Sequence, residues 1–232
     1  PGVDDGAKDI EEMKEMLKIA YQEGIRCIIA TPHYHPRRGK EKPEILIEQA
    51  ILLRDTAHAI DENFRIYLGT EIYFGQDVIQ KLKEKQIMTM NRRNYVLVEF
   101  STAETFSYIQ QSLQQLQFSG YEVILAHVER YGCITDNPEL AMQLWEMGIH
   151  LQINAGSICG DSGRKIKKFV RGLMDEDIVF CVGTDAHDIK HRPPHMRKAA
   201  EYVQKKYGEE YARRIFFSNA KEMLKKKKRD AK

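Results

Sequence analysis

Short apolar runs alternate along the chain with longer stretches whose apolar residues recur every three or four positions. The short runs are RCIIAT (26–31), RIYLG (65–69), YVLVEF (95–100), VILAH (123–127), HLQIN (150–154) and IVFCVG (178–183). They are rich in Val, Ile and Leu without clean polar alternation. That predicts strands covered on both faces, as in a parallel sheet. Between the first strands, residues 7–23 carry Ile10, Met13, Met16, Leu17 and Ala20 at helical spacing, and Gly24 follows as a stop. Residues 44–60 repeat the pattern with Ile45, Ile47, Ala50, Ile51, Leu53 and Ala57. Further helices are predicted over 76–86, 104–119, 138–147, 164–175, 195–207 and 219–228. The alternation predicts successive βα units. No G-x-G-x-x-G and no P-loop motif interrupts them, which favours a β/α barrel over an open nucleotide-binding sheet. No linker divides the 232 residues, so one domain over 1–232 is expected.

Charge narrows the partners. The 36 basic and 34 acidic residues leave a net +2, which argues against a polyanion binder. No aromatic-plus-basic surface for reading nucleic acid is evident either. The biased run Lys225–Lys228 with Arg229 reads as a solvated helix end; the alternative is peripheral contact with an anionic membrane surface or acidic partner. No apolar run is long enough to insert in a bilayer. The four cysteines form no CxxC pair, and Cys27 and Cys181 sit inside strand-like runs, where a free thiol behaves as a small buried hydrophobe. A reduced, cytoplasmic protein is expected.

Each apolar run gives way to polar residues at its C-terminal end. The first run leads to His33 and His35, the second to Glu71, the third to Glu99, the fourth to His127, the fifth to Asn154, and the last to Asp185 and His187. Glu71 to Glu99 is 28 residues, Glu99 to His127 is 28, and His127 to Asn154 is 27. In a β/α barrel these strand ends open on one face, so residues far apart in sequence would converge. Imidazoles and carboxylates are costly to bury unless paired or coordinated. Together, without a thiolate, they make a ligand set for Mn, Fe or Zn. Arg130 in AHVERY and Arg192 in HDIKHRPPHM lie close after His127 and His187. A guanidinium fork matches phosphate oxygens, so both read as phosphate clamps. Metals, arginines and no thiol nucleophile point to hydrolysis of a phosphate ester by metal-bound hydroxide. The opening PGVDDG adds Asp4 and Asp5, which by themselves make a turn or helix cap. NAGSICGDSG (154–163) reads as a loop entering the next helix.

The stretches PGVDDG, ATPHYHP, GTEIY, VLVEF, AHVERY, INAGS, GTDAH and RPPHM, in that order along the whole chain, resemble the polymerase-and-histidinol-phosphatase (PHP) superfamily. More narrowly, they resemble its manganese-dependent tyrosine-protein phosphatases of bacterial capsule and exopolysaccharide loci. The resemblance implies an α/β fold, a distorted seven-stranded TIM-like barrel with up to three Mn²⁺ ions. It implies Asp5, His33, Glu71, Glu99, His127, Asp185 and His187 as metal ligands, with Glu71 bridging, and Arg130 and Arg192 as the catalytic residues that hold the phosphate. The implied reaction is attack by a metal-bridging hydroxide on phosphotyrosine in the tail of an autophosphorylating bacterial tyrosine kinase. Cys159 and Arg164 are spaced C-x4-R, not the C-x5-R of thiol-dependent tyrosine phosphatases. The family's first strand ends in an H-x-H of further ligands. That strand is expected upstream of Pro1, since only six strands are visible from there on. The alternatives are another PHP phosphomonoesterase, such as one acting on histidinol phosphate, or a non-catalytic metal-binding or kinase-docking module.

Overall fold

A computed structural model describes residues 1–36 and 43–225. Every predicted apolar run forms a strand, and a second, short strand that was not predicted follows each of the first two. β1 (Cys27–Ala30) is followed after Thr31 and Pro32 by β2 (His33–Tyr34), and β3 (Arg65–Leu68) after Gly69 and Thr70 by β4 (Glu71–Tyr73). Then come β5 (Tyr95–Glu99), β6 (Glu122–Leu125), β7 (His150–Asn154) and β8 (Val179–Gly183). Among the described residues these make a two-stranded sheet, β1-β3, and a six-stranded sheet in the order β2-β4-β5-β6-β7-β8. All pairs are parallel.

The two breaks lie side by side. Ala30 pairs with Leu68 below them, and His33 with Glu71 above. Pro32 has no N–H to donate to a ladder. Gly69 packs closely under Met90: a Cβ there would meet Met90 Sδ and make that side chain move. The register continues across the gap through Gly69 N donating to Ala30 O (2.8 Å) and Glu71 N to Pro32 O (3.2 Å).

The expected closed, seven-stranded barrel is not what the described residues form. One strand position stands for each of the six predicted runs, and β8 shares no backbone ladder with β1 or β2. Closure needs the first and last strands to exchange backbone hydrogen bonds. Here the two edges are linked at their upper ends by side chains instead. Asp5 Oδ1 lies 3.5 Å from His33 Nε2 and 3.6 Å from His187 Nε2.

Helices cover the outer face, at the predicted places: Ile10–Gln22, Pro43–Ile60, Val78–Lys83, Phe106–Phe118, Glu139–Glu146, Arg164–Asp175 and Arg197–Tyr207; the predicted Asn219–Met223 packs instead on the inward side. The last was expected to reach 228; it ends at Met223, and the basic run after Lys225 lies outside the described residues. Strand residues Val96, Val98, Val123, Leu125, Leu151 and Ile153 pack outward against helix residues such as Ile109, Leu113, Leu144 and Val170. The alternate strand positions Leu97, Ile124 and Cys181 face inward and pack with Met90 and Met223. Both faces are therefore apolar in β5, β6 and β8, which is why those runs lack polar alternation, whereas β7 does alternate, with Leu151 and Ile153 outward. Cys181 is buried as expected, but Cys27 is exposed, because it opens an edge strand. All four cysteines are free. Short helices at Gly132–Asp136, Ala155–Cys159 and Glu209–Arg213 were not predicted, and the second occupies the expected loop. No helix of the described residues is long and apolar enough to cross a membrane.

Candidate metal centre

On β5, β6 and β8 the inward face is apolar at Leu97, Ile124 and Cys181 and turns polar at or beyond the upper end, while β7 carries Gln152 inward, where its Oε1 meets His127 N. Leu97 and Glu99 share the inward face of β5, and His33 pairs in register with Glu71. The strand ends thus deliver imidazoles and carboxylates to a common volume.

Two groups of potential ligand atoms form there, each with its atoms within 4.8 Å of one another: Asp5, His33 and His187, and His33, Glu71 and Glu99. His33, rather than Glu71, is the residue common to both. His127 Nε2 stands 2.9 Å from Glu71 Oε1 and 3.4 Å from Glu99 Oε2. Asp185 lies at the opposite rim, its Oδ1 3.7 Å from His187 Nδ1. All seven sequence-predicted ligands therefore lie in one neighbourhood. Five fall in the tight groups, while His127 and Asp185 flank them.

The contacts suit a cation better than they suit one another. His33 Nδ1 is 3.2 Å from Glu99 Oε1, and Glu71 Oε1 is 2.9 Å from His127 Nε2. Yet His33 Nδ1, Glu71 Oε1 and His127 Nδ1 are buried without a well-aligned hydrogen bond. Buried polar atoms left this way are costly. A divalent cation would satisfy such donors, and imidazole with carboxylate is the appropriate set for Mn, Fe or Zn. The residues present fit a metal.

Charge is strongly coupled in the cluster. His33 is lifted to about 9, chiefly by contact with Glu99 and against its burial. Burial pulls His127 down, but Glu71 and Glu99 outweigh it and lift this imidazole to about 9 as well. Burial would raise Glu99, yet His127 and His33 overcome it and hold the carboxyl at about 2.

The backbone is specialised where it presents these side chains. His127 and Asp185 both adopt positive φ, +34° and +53°. Such conformations concentrate at functional sites. His187 Nδ1 bonds the carbonyl of Asp185 at 2.9 Å, which turns Nε2 toward Asp5 and His33. Asp4, expected only to make a turn, does so by accepting from Gly6 N (2.9 Å) and also holds His33 N (2.8 Å). Asn154 Nδ2 donates to Asp185 Oδ2 at 3.2 Å, so Asn154 orients Asp185. His35 does not join the cluster; its ring packs on Tyr73.

The two arginines reach the rim. Arg130 bonds Asp185 Oδ2, and Arg192 lies 3.2 Å from Asp5 Oδ2 and 3.7 Å from Asp185 Oδ2. The Arg192 loop is closed by His187 N donating to Arg192 O at 2.9 Å. Its far end is tied down by Glu23, whose Oε2 accepts from Met196 N (3.0 Å) and Arg197 N (2.9 Å).

Two supporting residues escaped sequence reasoning. Glu23 gave no signal beyond ending a helix. Glu129 sits between His127 and Arg130, almost fully buried, and its Oε1 accepts from Asn154 N at 2.8 Å. Burial pushes its carboxyl up. A carboxylate flanked by two candidate site residues was the available signal.

The comparisons agree in extent. The chain is 32% identical over 227 residues to the tyrosine-protein phosphatase CpsB of Streptococcus pneumoniae, covering 96% of this chain and 93% of that protein. It is 35% identical over 210 residues to the tyrosine-protein phosphatase YwqE of Bacillus subtilis (strain 168), covering 90% and 83%. A chain from the crystal structures of YwqE from B. subtilis and CpsB from S. pneumoniae, described there as unique metal-dependent tyrosine phosphatases, superposes with a TM-score of 0.88 at 33% identity, over 97% of this chain and 90% of that one. The family model for capsular polysaccharide synthesis, CpsB/CapC, matches residues 1–225, and the chain belongs to that family.

Proposed function

We propose that this chain is a metal-dependent protein-tyrosine phosphatase acting in capsular polysaccharide synthesis. The observation that carries this reading is the cluster itself: Asp5, His33, Glu71, Glu99 and His187 gather at the strand ends, with two arginines at the rim and no thiol among the contacting side chains. The relatives' activity and the family support it. Asp5, His33, Glu71, Glu99, His127, Asp185 and His187 would hold manganese, in a single domain over residues 1–232. Bound there, manganese supplies Lewis-acid charge and activation of water.

The chain's own residues do the rest. Arg130 and Arg192 bind the phosphoryl oxygens and stabilise the charge that develops on them. In the structure both guanidiniums pair with carboxylates at the rim, so a phosphate entering there meets donors already oriented. Glu129, bonded to Asn154 N, ties the turn that carries His127 and Arg130 to β7, and the Asn154 side chain holds Asp185. The substrate of this reading is phosphotyrosine on an autophosphorylating tyrosine kinase. A cytoplasmic location belongs to the same reading, in keeping with four unpaired cysteines.

The test is phosphate release from a phosphotyrosine peptide by metal-stripped protein titrated with Mn²⁺. Saturable, chelator-reversible turnover is expected. Silence from folded, metal-loaded protein would overturn the proposal.

A further inference from the structure

The ladder that places His33 beside Glu71 continues beyond them. Tyr34 pairs with Ile72, and Ile72 packs into the outer core, with Tyr34 against it. Successive strand residues alternate faces, so His35 and Tyr73 return to the inward face, the side of His33 and Glu71. They stand about 6.6 Å nearer the mouth, two residues further along each strand. Their rings lie 4.4 Å apart, tilted at 33°. Both residues are only partly buried. The loops behind are pressed together: a Cβ on Gly75 would come within 2.9 Å of Pro36 Cγ, so only glycine lets the proline approach.

We propose that the stacked rings of His35 and Tyr73 form the wall on which the substrate's aromatic ring packs, and thereby set a preference for aryl over alkyl phosphate monoesters. This rests on the phosphatase reading above. A phosphoryl group held by Arg130 and Arg192 over the cluster must carry its ester group outward, toward the mouth. A para-linked ring begins one ester bond from phosphorus, at the height of this wall. Ring-on-ring contact rewards an aryl group and offers an alkyl chain much less. It also assigns a role to His35, which stands at a strand end without joining the cluster.

The test uses the metal-loaded full chain and two non-hydrolysable probes, benzylphosphonate and methylphosphonate, with affinities measured by titration calorimetry. Phosphonates remove the difference in leaving-group reactivity that separates aryl from alkyl esters. The parent is expected to prefer the benzyl probe. Tyr73→Leu and, independently, His35→Leu should each lower the benzyl-to-methyl affinity ratio about tenfold, while Tyr73→Phe keeps it. Thermal melts of each variant show that it is folded. A ratio within about twofold of the parent in both leucine variants would overturn the wall while leaving the phosphatase reading intact. A parent that releases no phosphate from a phosphotyrosine peptide would instead overturn that reading, and the wall with it.

Discussion

The Nε2 atoms of His33 and His187 lie 3.2 Å apart, although one residue opens β2 and the other follows β8, the two edges of the six-stranded sheet. At that distance two imidazoles cannot both carry a proton between them. They share one, or they share a cation with Asp5, which lies within 3.6 Å of each. The curl of an open sheet thus builds one centre from both ends of the chain.

Because His33 belongs to both ligand groups, it should matter more than any ligand that belongs to one. His33→Ala is expected to reduce bound metal across the cluster and lower turnover by about a hundredfold or more. Asp5→Asn should weaken only one group. Metal content per chain by elemental analysis checks this, and equal losses in the two variants would contradict it.

The imidazoles of His33 and His127, both near 9, predict opposite pH trends for stability and metal binding. A raised pKa stabilises the metal-free fold fully below the ordinary 6.5, and that contribution is lost as pH rises towards 9. Glu99, held at about 2, contributes above its ordinary 4.5 and loses the contribution as pH falls towards 2. Chelated protein should therefore melt at its highest temperature between pH 4.5 and 6.5 and progressively lower up to pH 9. Metal affinity should rise over that upper window, since a metal displaces the same protons. A melting temperature flat from pH 6.5 to 9 would show that these pairs are not formed in solution.

Arg130→Ala should lower kcat/KM for a phosphotyrosine peptide about tenfold to a hundredfold, the scale of a charged hydrogen bond. Metal content should be retained, because the guanidinium contacts Asp185 without belonging to either ligand group. Loss of metal from this variant would make Arg130 a support for Asp185 rather than a phosphate clamp.

Glu129→Ala would leave the N–H of Asn154 without its acceptor and should cost about 1–3 kcal/mol. Glu129→Gln keeps an acceptor oxygen of the same reach and should recover most of the loss. Denaturant melts of the metal-free variants measure both. Equal destabilisation would mean that the charge, not the hydrogen bond, is what the site requires.

Much of this was legible in the residues. Period and composition marked all six strand runs and the long helices, because burial on two faces leaves a continuous apolar signature. The spacing of Glu71, Glu99, His127 and Asn154 announced one polar residue per βα unit. The interruptions at Pro32 and Gly69 were not legible, since the side chain packed against Gly69 is that of Met90, twenty-one residues away in sequence. Nor were the duties of Asp4, Glu23 and Glu129, each of which bonds a backbone amide in a remote segment.

Local chemistry therefore decided which residues could serve. Apolar runs select strands, periodic stretches select helices, and histidines and carboxylates at strand ends supply the ligand types. Only the tertiary structure decided how they combine. It made His33 common to both ligand groups, turned His35 onto Tyr73, and set both arginines against the carboxylates of Asp185 and Asp5. The physical reason is that coordination and ion pairing act over about 2–4 Å. Distances that short depend on how far the sheet curls and where its ladders break, which no periodicity along the chain records.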